Sequence, residues 1–316
     1  MNRLGETIVP AIYDDAHPFR NGFAAVRRGK LWGAISTYGN EVIAPFSPTA
    51  FEFTNGLADF ESKGRFGVID RSGNVVVTPR WDSISHYSSD VACVRSGDLY
   101  GYIDRLGNVV IPPFFEDARG FSEGMAAVKL GGKWGYIGPG GVSVIPNQFV
   151  CDRGMAGPFR SGLARVAKDG RWGYINRNGG FVIEPRYDMA LEFSEGLGCV
   201  ELNKRKGFVD LEGNLVIATQ FVSAKNFSEG VAAVDTGDGR VHSSIADACE
   251  KGFIEPDGSL AIAPHFLGTG SFRNGLCLVE TEKHLAYIDH EGKVIWSSGY
   301  VEIGFLDLGH LWPPEP

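Results

Sequence analysis

Lys133-Trp134-Gly135-Tyr136-Ile137 decides how the chain is read, because copies of it recur from one end to the other. Arg171-Trp172-Gly173-Tyr174-Ile175 differs by one residue. Leu31-Trp32-Gly33, Arg65-Phe66-Gly67, Tyr100-Gly101-Tyr102, Lys206-Gly207-Phe208 and Lys251-Gly252-Phe253 are looser versions. A glycine follows each copy, at Gly39, Gly73, Gly107, Gly141, Gly179, Gly213, Gly258 and Gly292, with Gly5 ahead of the series. The successive spacings are 34, 34, 34, 34, 38, 34, 45 and 34 residues. A fixed period of this kind marks a repeat architecture, in which each unit buries its apolar faces only against its neighbours.

Two further columns hold the same register. An aromatic-x-x-glycine step falls at Phe19, Phe53, Phe121, Phe159, Phe193, Phe227 and Phe272, with Tyr87 and Asp90 standing in for the third copy. Eight residues after each spacing glycine comes Tyr13, Trp81, Phe115, Phe149, Tyr187, Phe221, Phe266 or Tyr300, and Ser47 is the exception.

Each unit reads as three short strands. The first is Gly162-Leu163-Ala164-Arg165-Val166 in its fifth copy, with a small residue at the second strand position throughout (Ala24, Ala58, Ala92, Ala126, Ala164, Gly198, Ala232, Cys277). The second is the Trp-Gly-Tyr-Ile segment, whose alternation puts Trp172 and Tyr174 on one face. The third is Val75-Val76-Val77 or Val109-Val110-Ile111, and Pro79, Pro113, Pro185 and Pro264 are expected to end it, because proline cannot continue a ladder. Asp70-Arg71-Ser72-Gly73-Asn74 and Asp104-Arg105-Leu106-Gly107-Asn108 are Asp-led turns with glycine at the left-handed position. Glycine inside a strand costs about 0.5–1 kcal/mol against alanine, so the strand-two glycine must admit a close neighbour, expected to be an aromatic side chain.

The composition agrees. Forty-three glycines against four methionines in 316 residues indicate many turns and few long helices. The net charge is −8, and residues 159–316 carry nearly all of it, with 15 basic and 22 acidic side chains against 15 and 16 in residues 1–158. No basic stripe is present, which argues against nucleic acid as a partner and leaves a basic protein compatible. The opening Met1-Asn2-Arg3-Leu4-Gly5-Glu6 has no apolar core of a signal peptide, and no window holds 18 uninterrupted apolar residues. A cytoplasmic location and no membrane span are therefore expected. Five cysteines, Cys93, Cys151, Cys199, Cys249 and Cys277, lack C-x-x-C pairs and read as reduced; Cys93 and Cys199 occupy equivalent strand-one positions as small buried hydrophobes.

Chemistry-bearing motifs are missing. His17, His86, His242, His265, His284, His290 and His310 are scattered, without H-E-x-x-H spacing, and there is no G-x-S-x-G or phosphate loop. No enzyme, metal or cofactor is expected. The period breaks twice, by four residues around Cys151-Asp152-Arg153-Gly154 and by eleven within Gly237–Ala248. Insertions in repeat arrays map to exposed loops, which makes Asp152, Arg153, Asp238, Arg240 and His242 the candidate partner-binding residues.

The succession G-L-A-x-V, K-W-G-Y-I-D, G-N-x-V-I-x-P resembles the bacterial WG-repeat proteins, from Gly5 to about Trp312, with Trp replaced by Phe66 and Tyr100 and absent from units six to eight. The resemblance implies an all-β repeat protein and no particular chemistry. The expected fold is all-β, a tandem array of three-stranded meanders of about 34 residues stacked as an open solenoid, with an eight-bladed propeller as the alternative. Units are expected at 19–52, 53–86, 87–120, 121–158, 159–192, 193–226, 227–271 and 272–305, between caps at 1–18 and 306–316. The expected function is a non-enzymatic scaffold for a protein partner; the alternative is a carbohydrate or cell-envelope binder that uses exposed aromatics.

Overall fold

The structure, a computed structural model, describes residues 9–151, 154–237, 250–282 and 284–298. They form eight antiparallel sheets in chain order, as the period predicts, and one single-turn 3-10 helix at Pro139–Gly141. Contacts divide the chain into two compact units, within residues 1–147 and 148–314.

Six sheets carry a fourth strand ahead of the three read from the sequence. This lead strand is Asp15–Ala16, Ser83–Ile84, Asp117–Ala118, Met189–Ser194, Ser223–Ala224 or Gly268–Thr269, paired to strand one. The backbone N–H just before it opens the pairing: Asp14 donates to Arg27 O, Asp82 to Arg95 O, Glu116 to Lys129 O and Val222 to Asp235 O, each at 2.9 Å. In the second sheet that position is Pro48, which has no N–H, and the sheet has three strands. The fifth sheet also has three, and in the sequence the four added residues fall ahead of its strand one.

Strand three does not end at its proline. In the fifth sheet Trp172 pairs with Tyr187 and Tyr174 with Ile183, so Gly173 alone faces Glu184, Pro185 and Arg186. The first, second, third, sixth and seventh sheets carry the same bulge. Proline is tolerated at a bulge because no ladder hydrogen bond is asked of it, and the strand runs on to the aromatic opposite the tryptophan position. The bulged backbone, not a neighbouring aromatic, is what the strand-two glycine admits. A Cβ on Gly173 would collide with Ile183 O and stand 2.8 Å from Pro185 N. The eighth sheet has Ala286 at this position, and its strand three pairs there without the bulge, Ala286 with Ser297 and Tyr287 with Trp296.

The turns form as the sequence predicts. Asp70 Oδ1 accepts the N–H groups of Ser72 and Asn74 at 2.8 and 2.9 Å, Oδ2 accepts the Asn74 side-chain amide, and Gly73 has φ +81°. Asp104 and Asp210 repeat the arrangement. The aromatic-x-x-glycine step is a two-residue turn with both central residues at positive φ, such as Asn21 and Gly22 at 51° and 86°.

Cores lie between consecutive sheets. In the first unit, Trp32, Ala34 and Ile43 pack on Phe51, Phe53, Ala58 and Phe60; Val77 and Trp81 on Tyr87, Ala92 and Val94; and Tyr102, Ile111 and Phe115 on Phe121, Ala126 and Val128. In the second unit, Phe208, Ile217 and Phe221 meet Phe227, Ala232 and Val234, while Phe253, Ile262 and Phe266 meet Phe272, Cys277 and Val279. The small strand-one residue makes room for the aromatics of the preceding sheet. Ser47, the exception in the third aromatic column, is fully buried and donates to Thr49 O at 2.8 Å, while Phe46 contacts Phe51 and Phe60.

Candidate interaction surfaces

The tryptophans of the repeat do not form a surface. Trp32, Trp81, Trp134 and Trp172 are buried, and the hydroxyls of Tyr102 and Tyr174 donate into the following sheet, to Arg119 O and Leu191 O, at 2.7 Å. Burial pushes both phenols upward. Cys93, Cys151, Cys199 and Cys277 are buried thiols outside any disulfide among the described residues, with the burial as read from the sequence for Cys93 and Cys199. Burial pushes the Cys93 and Cys199 thiols up to about 12, so they stay protonated and face Ala118 O and Ala224 O.

What the sheets leave open is their last strand. Among the described residues strand three is an edge in every sheet, with no further strand paired to its outer side. Its first residues expose large apolar side chains sheet after sheet: Val42, Val75, Val109, Val110, Val144, Val182, Val216, Leu260 and Ile295. In the first seven sheets the buried member of the strand, such as Ile43, Val77, Ile111 or Ile217, faces inward between them, whereas Val294–Ser297 of the eighth is exposed throughout. Phe46, Phe114 and Trp296 are the aromatics exposed on these edges, at 37, 45 and 52%.

A second recurring feature lies at the other edge, just after the lead strand. There, in the first and fourth sheets, a nitrogen-bearing side chain faces the strand-two aromatic of its own sheet: His17 lies 4.8 Å from the Trp32 ring, and the Arg119 guanidinium 5.9 Å from that of Trp134. In the third sheet these positions are Ser85 and Tyr100, and the smaller side chains leave a pocket lined with Ser83, Cys93, Ala118, Arg119 and Gly120. A neighbouring pocket holds Asp59, Ser85, His86 and Tyr87. Burial raises the Asp59 carboxyl above its ordinary value, against the opposing charge of His86. In the seventh sheet the two positions are Lys225 and Lys251.

Asp152, Arg153, Asp238, Arg240 and His242, the residues singled out from the insertions, lie outside the described residues. One polar cluster escaped the sequence reading. Glu229 Oε2 accepts the Gly275 N–H at 2.9 Å and meets His290 Nε2 at 3.2 Å, while the His290 ring stacks on Phe272 at 4.1 Å. Glu229 and His290 are 61 residues apart, and nothing local in the sequence pairs them. Among the described residues no group of three or more His, Cys, Asp or Glu side chains could hold a metal ion, and no helix is long and apolar enough to cross a membrane.

The profile of the WG-containing repeat matches residues 1–32, 66–100, 100–134, 134–172, 172–205, 207–238 and 252–283. The chain belongs to this family. Its WG-containing repeats correspond to the meanders described above, and each match runs roughly from one strand two to the next. No curated protein matches the sequence. Among solved structures, the crystal structure of a eukaryotic initiation factor is similar, with a TM-score of 0.64 at 11% identity over 93% of this chain and 89% of that one. Dihydro-heme d1 dehydrogenase NirN in complex with DHE follows, with a TM-score of 0.49 at 12% identity over 92 and 76% of the two chains. The Neurospora crassa Pan2 WD40 domain has a TM-score of 0.35 at 13% identity over 66 and 74%. At such identity the first likeness concerns the fold alone.

Proposed function

We propose that this WG-repeat protein is a non-enzymatic scaffold that holds a protein partner along its edge strands, with the loops inserted near 151–158 and 237–248 adding contacts. The supporting observation is the exposed β-branched column on strand three, next to unpaired backbone. An edge with free N–H and C=O groups accepts an extended segment as an added strand, and alternate side chains supply the selectivity. The bulge, which carries a proline in most sheets, limits such pairing to the first half of the strand, so an edge of two or three apolar residues is offered rather than a long template for aggregation. The excess of acidic side chains in the second half favours a basic partner segment.

Carbohydrate recognition is the weaker reading, because the aromatic columns that would have formed a sugar platform are buried. Photo-crosslinking residues placed at Val144 and Val216 are expected to capture a protein that a Val216→Lys variant releases. Specific retention of a glycan on an array, with no crosslink from either edge, would replace this reading with the carbohydrate one.

A further inference from the structure

The seventh sheet departs from the repeat at one pair of positions, and the departure concentrates charge. In the first and fourth sheets the side chain after the lead strand meets the aromatic on strand two, as His17 meets Trp32 and Arg119 meets Trp134. Such a pairing is attractive, because the ring face is electron-rich. In the seventh sheet both partners are lysines. The Lys225 N–H donates to Ala233 O at 2.9 Å, which fixes the residue beside strand one. Lys251 opens strand two opposite Asp235 and Phe266.

Both side chains turn toward the lead strand of the eighth sheet. Lys225 Nζ donates to Thr269 O at 2.6 Å, and Lys251 Nζ donates to Leu267 O. These two carbonyls flank Gly268 on one extended segment, a separation of about 6.6 Å along the strand. Each ammonium has three N–H groups, and one carbonyl each leaves two to be satisfied. Neither lysine forms an ion pair with a carboxylate among the described residues. The nearest acid by strand register, Asp235, turns its Oδ1 to the Gly237 N–H at 3.1 Å. Lys225 is exposed as a residue, yet its ammonium points inward to Thr269. Burial lowers it below the ordinary lysine value, and the Lys251 charge acts in the same direction. Cys277, the third polar group here, is a thiol that burial pushes up to about 12, so it supplies no counter-charge at neutral pH.

We propose that Lys225 and Lys251, anchored on Thr269 O and Leu267 O, form a binding site for a phosphate-type dianion. The chemistry follows from the geometry. Charge-assisted N–H to oxygen bonds are about 2.7–2.9 Å long, so a tetrahedral oxyanion spans two ammoniums several ångströms apart with one oxygen on each. Two negative charges match two positive ones. The site is local: the surrounding half of the chain is acidic, so no general basic field accounts for two cations held together. Lys206, the strand-two lysine of the sixth sheet, has Leu191 at the partner position and lacks the second cation.

The full chain is titrated with inorganic phosphate and, separately, with phenyl phosphate, at constant ionic strength set with chloride. Thermal unfolding and lysine side-chain NMR are followed. The expected result is a saturable rise in Tm with phosphate and an upward shift of the Lys225 titration. Binding should be weakened at least about tenfold in Lys225→Gln and in Lys251→Gln and unchanged in Lys206→Gln. Tighter binding of phenyl phosphate would identify a phosphomonoester as the source, and equal or tighter binding of the inorganic ion would identify free phosphate. The proposal is overturned if no saturable binding occurs below the ionic strength of about 0.1 M at which screening dominates. It is equally overturned if folded Lys225→Gln and Lys251→Gln proteins bind as the parent does.

Discussion

Gly173 lies against the carbonyl of Ile183, where any Cβ would meet backbone on three sides: Ile183 O, Glu184 C and Pro185 N. All seven strand-two glycines, Gly33, Gly67, Gly101, Gly135, Gly173, Gly207 and Gly252, have this relationship to strand three. Ala286, in the eighth sheet, pairs with Ser297 without a bulge opposite it. The glycine and the bulge are thus one feature. Gly173→Ala is expected to destabilise the protein by at least about 1–3 kcal/mol, because backbone and not a flexible side chain must yield. Ala286→Gly should cost only the chain-entropy term, about 0.5–1 kcal/mol. Denaturant unfolding of both variants checks this, and equal losses would break the link between glycine and bulge.

Tyr174 ties its sheet to the next through one hydroxyl, which donates to Leu191 O at 2.7 Å while the ring meets Phe193 edge-on at 4.8 Å. Tyr174→Phe keeps the ring contact and removes the donor from the part-buried Leu191 carbonyl, for a loss of about 0.5–1.5 kcal/mol. The sixth sheet has Phe208 at this position, contacting Phe227 at 4.9 Å. Phe208→Tyr should therefore not return a matching gain in urea titrations.

Asp90 takes the place of glycine in the third aromatic-x-x-glycine turn and holds φ +64°. A left-handed conformation costs an ordinary L residue about 1–2 kcal/mol, less for Asp, and Asp90 adds only an exposed 3.8 Å contact to Arg105. Asp90→Gly is expected to stabilise the fold by about 1 kcal/mol or less. A fall in Tm would show that the Arg105 contact outweighs the backbone term.

The columns of the repeat made the three long strands, the Asp-led turns and the all-β class legible, because each rests on a residue whose conformation or packing is nearly obligatory. Gly73 must be left-handed, and Phe121 must find a core. The lead strand was not legible. A two-residue strand such as Asp117–Ala118 has no periodicity to detect, and its signal is a backbone N–H that only Pro48 betrays by removing. The bulge was misread because Pro185 inside an apolar run reads as a stop unless the glycine opposite is considered with it. Of the interaction surfaces, the loops were chosen by length alone. The exposed valines of strand three looked like ordinary strand formers, and the Lys225–Lys251 pair becomes visible only when the repeats are laid in register.

Asp70 and Asp210 give the acid limb of stability a definite sign. The side-chain amides of Asn74 and Asn214 and the turn N–H groups stabilise the carboxylates, so both carboxyls lie below their ordinary value of 3.8 in the folded protein. The stabilisation is therefore full above that value and is lost as pH falls below it through the folded pKa. Asp70→Asn keeps a turn acceptor without the charge, as Asn176 does in the fifth sheet by accepting the N–H groups of Asn178 and Gly180. The variant should be less stable than the parent at neutral pH and converge on it as pH falls through the lowered carboxyl pKa of folded Asp70. A constant difference across the range would show that the turn senses no charge.

Pro48 offers the most direct test of why the second sheet has three strands. The equivalent Asp82 donates its N–H to Arg95 O at 2.9 Å and accepts the Gly97 N–H on Oδ2 at 2.6 Å, capping the turn between strands one and two. Asp188 does the same for Glu201 O and the Asn203 N–H. In the second sheet the corresponding groups are Glu61 O and the Lys63 N–H, one period earlier. Pro48→Asp supplies both a donor and a capping carboxylate. The two new hydrogen bonds contribute about 0.5–1.5 kcal/mol each, and removing proline costs about 0.4–1 kcal/mol through the unfolded chain, so the net stability gain is small. The sharper readout is amide exchange: the new amide and that of Lys63 should exchange more slowly than their neighbours, as a fourth strand forms at Thr49–Ala50. If both exchange as freely as an open loop, the missing N–H is not what keeps this sheet at three strands, and the cause lies in the packing of Phe46 and Phe51 beside it.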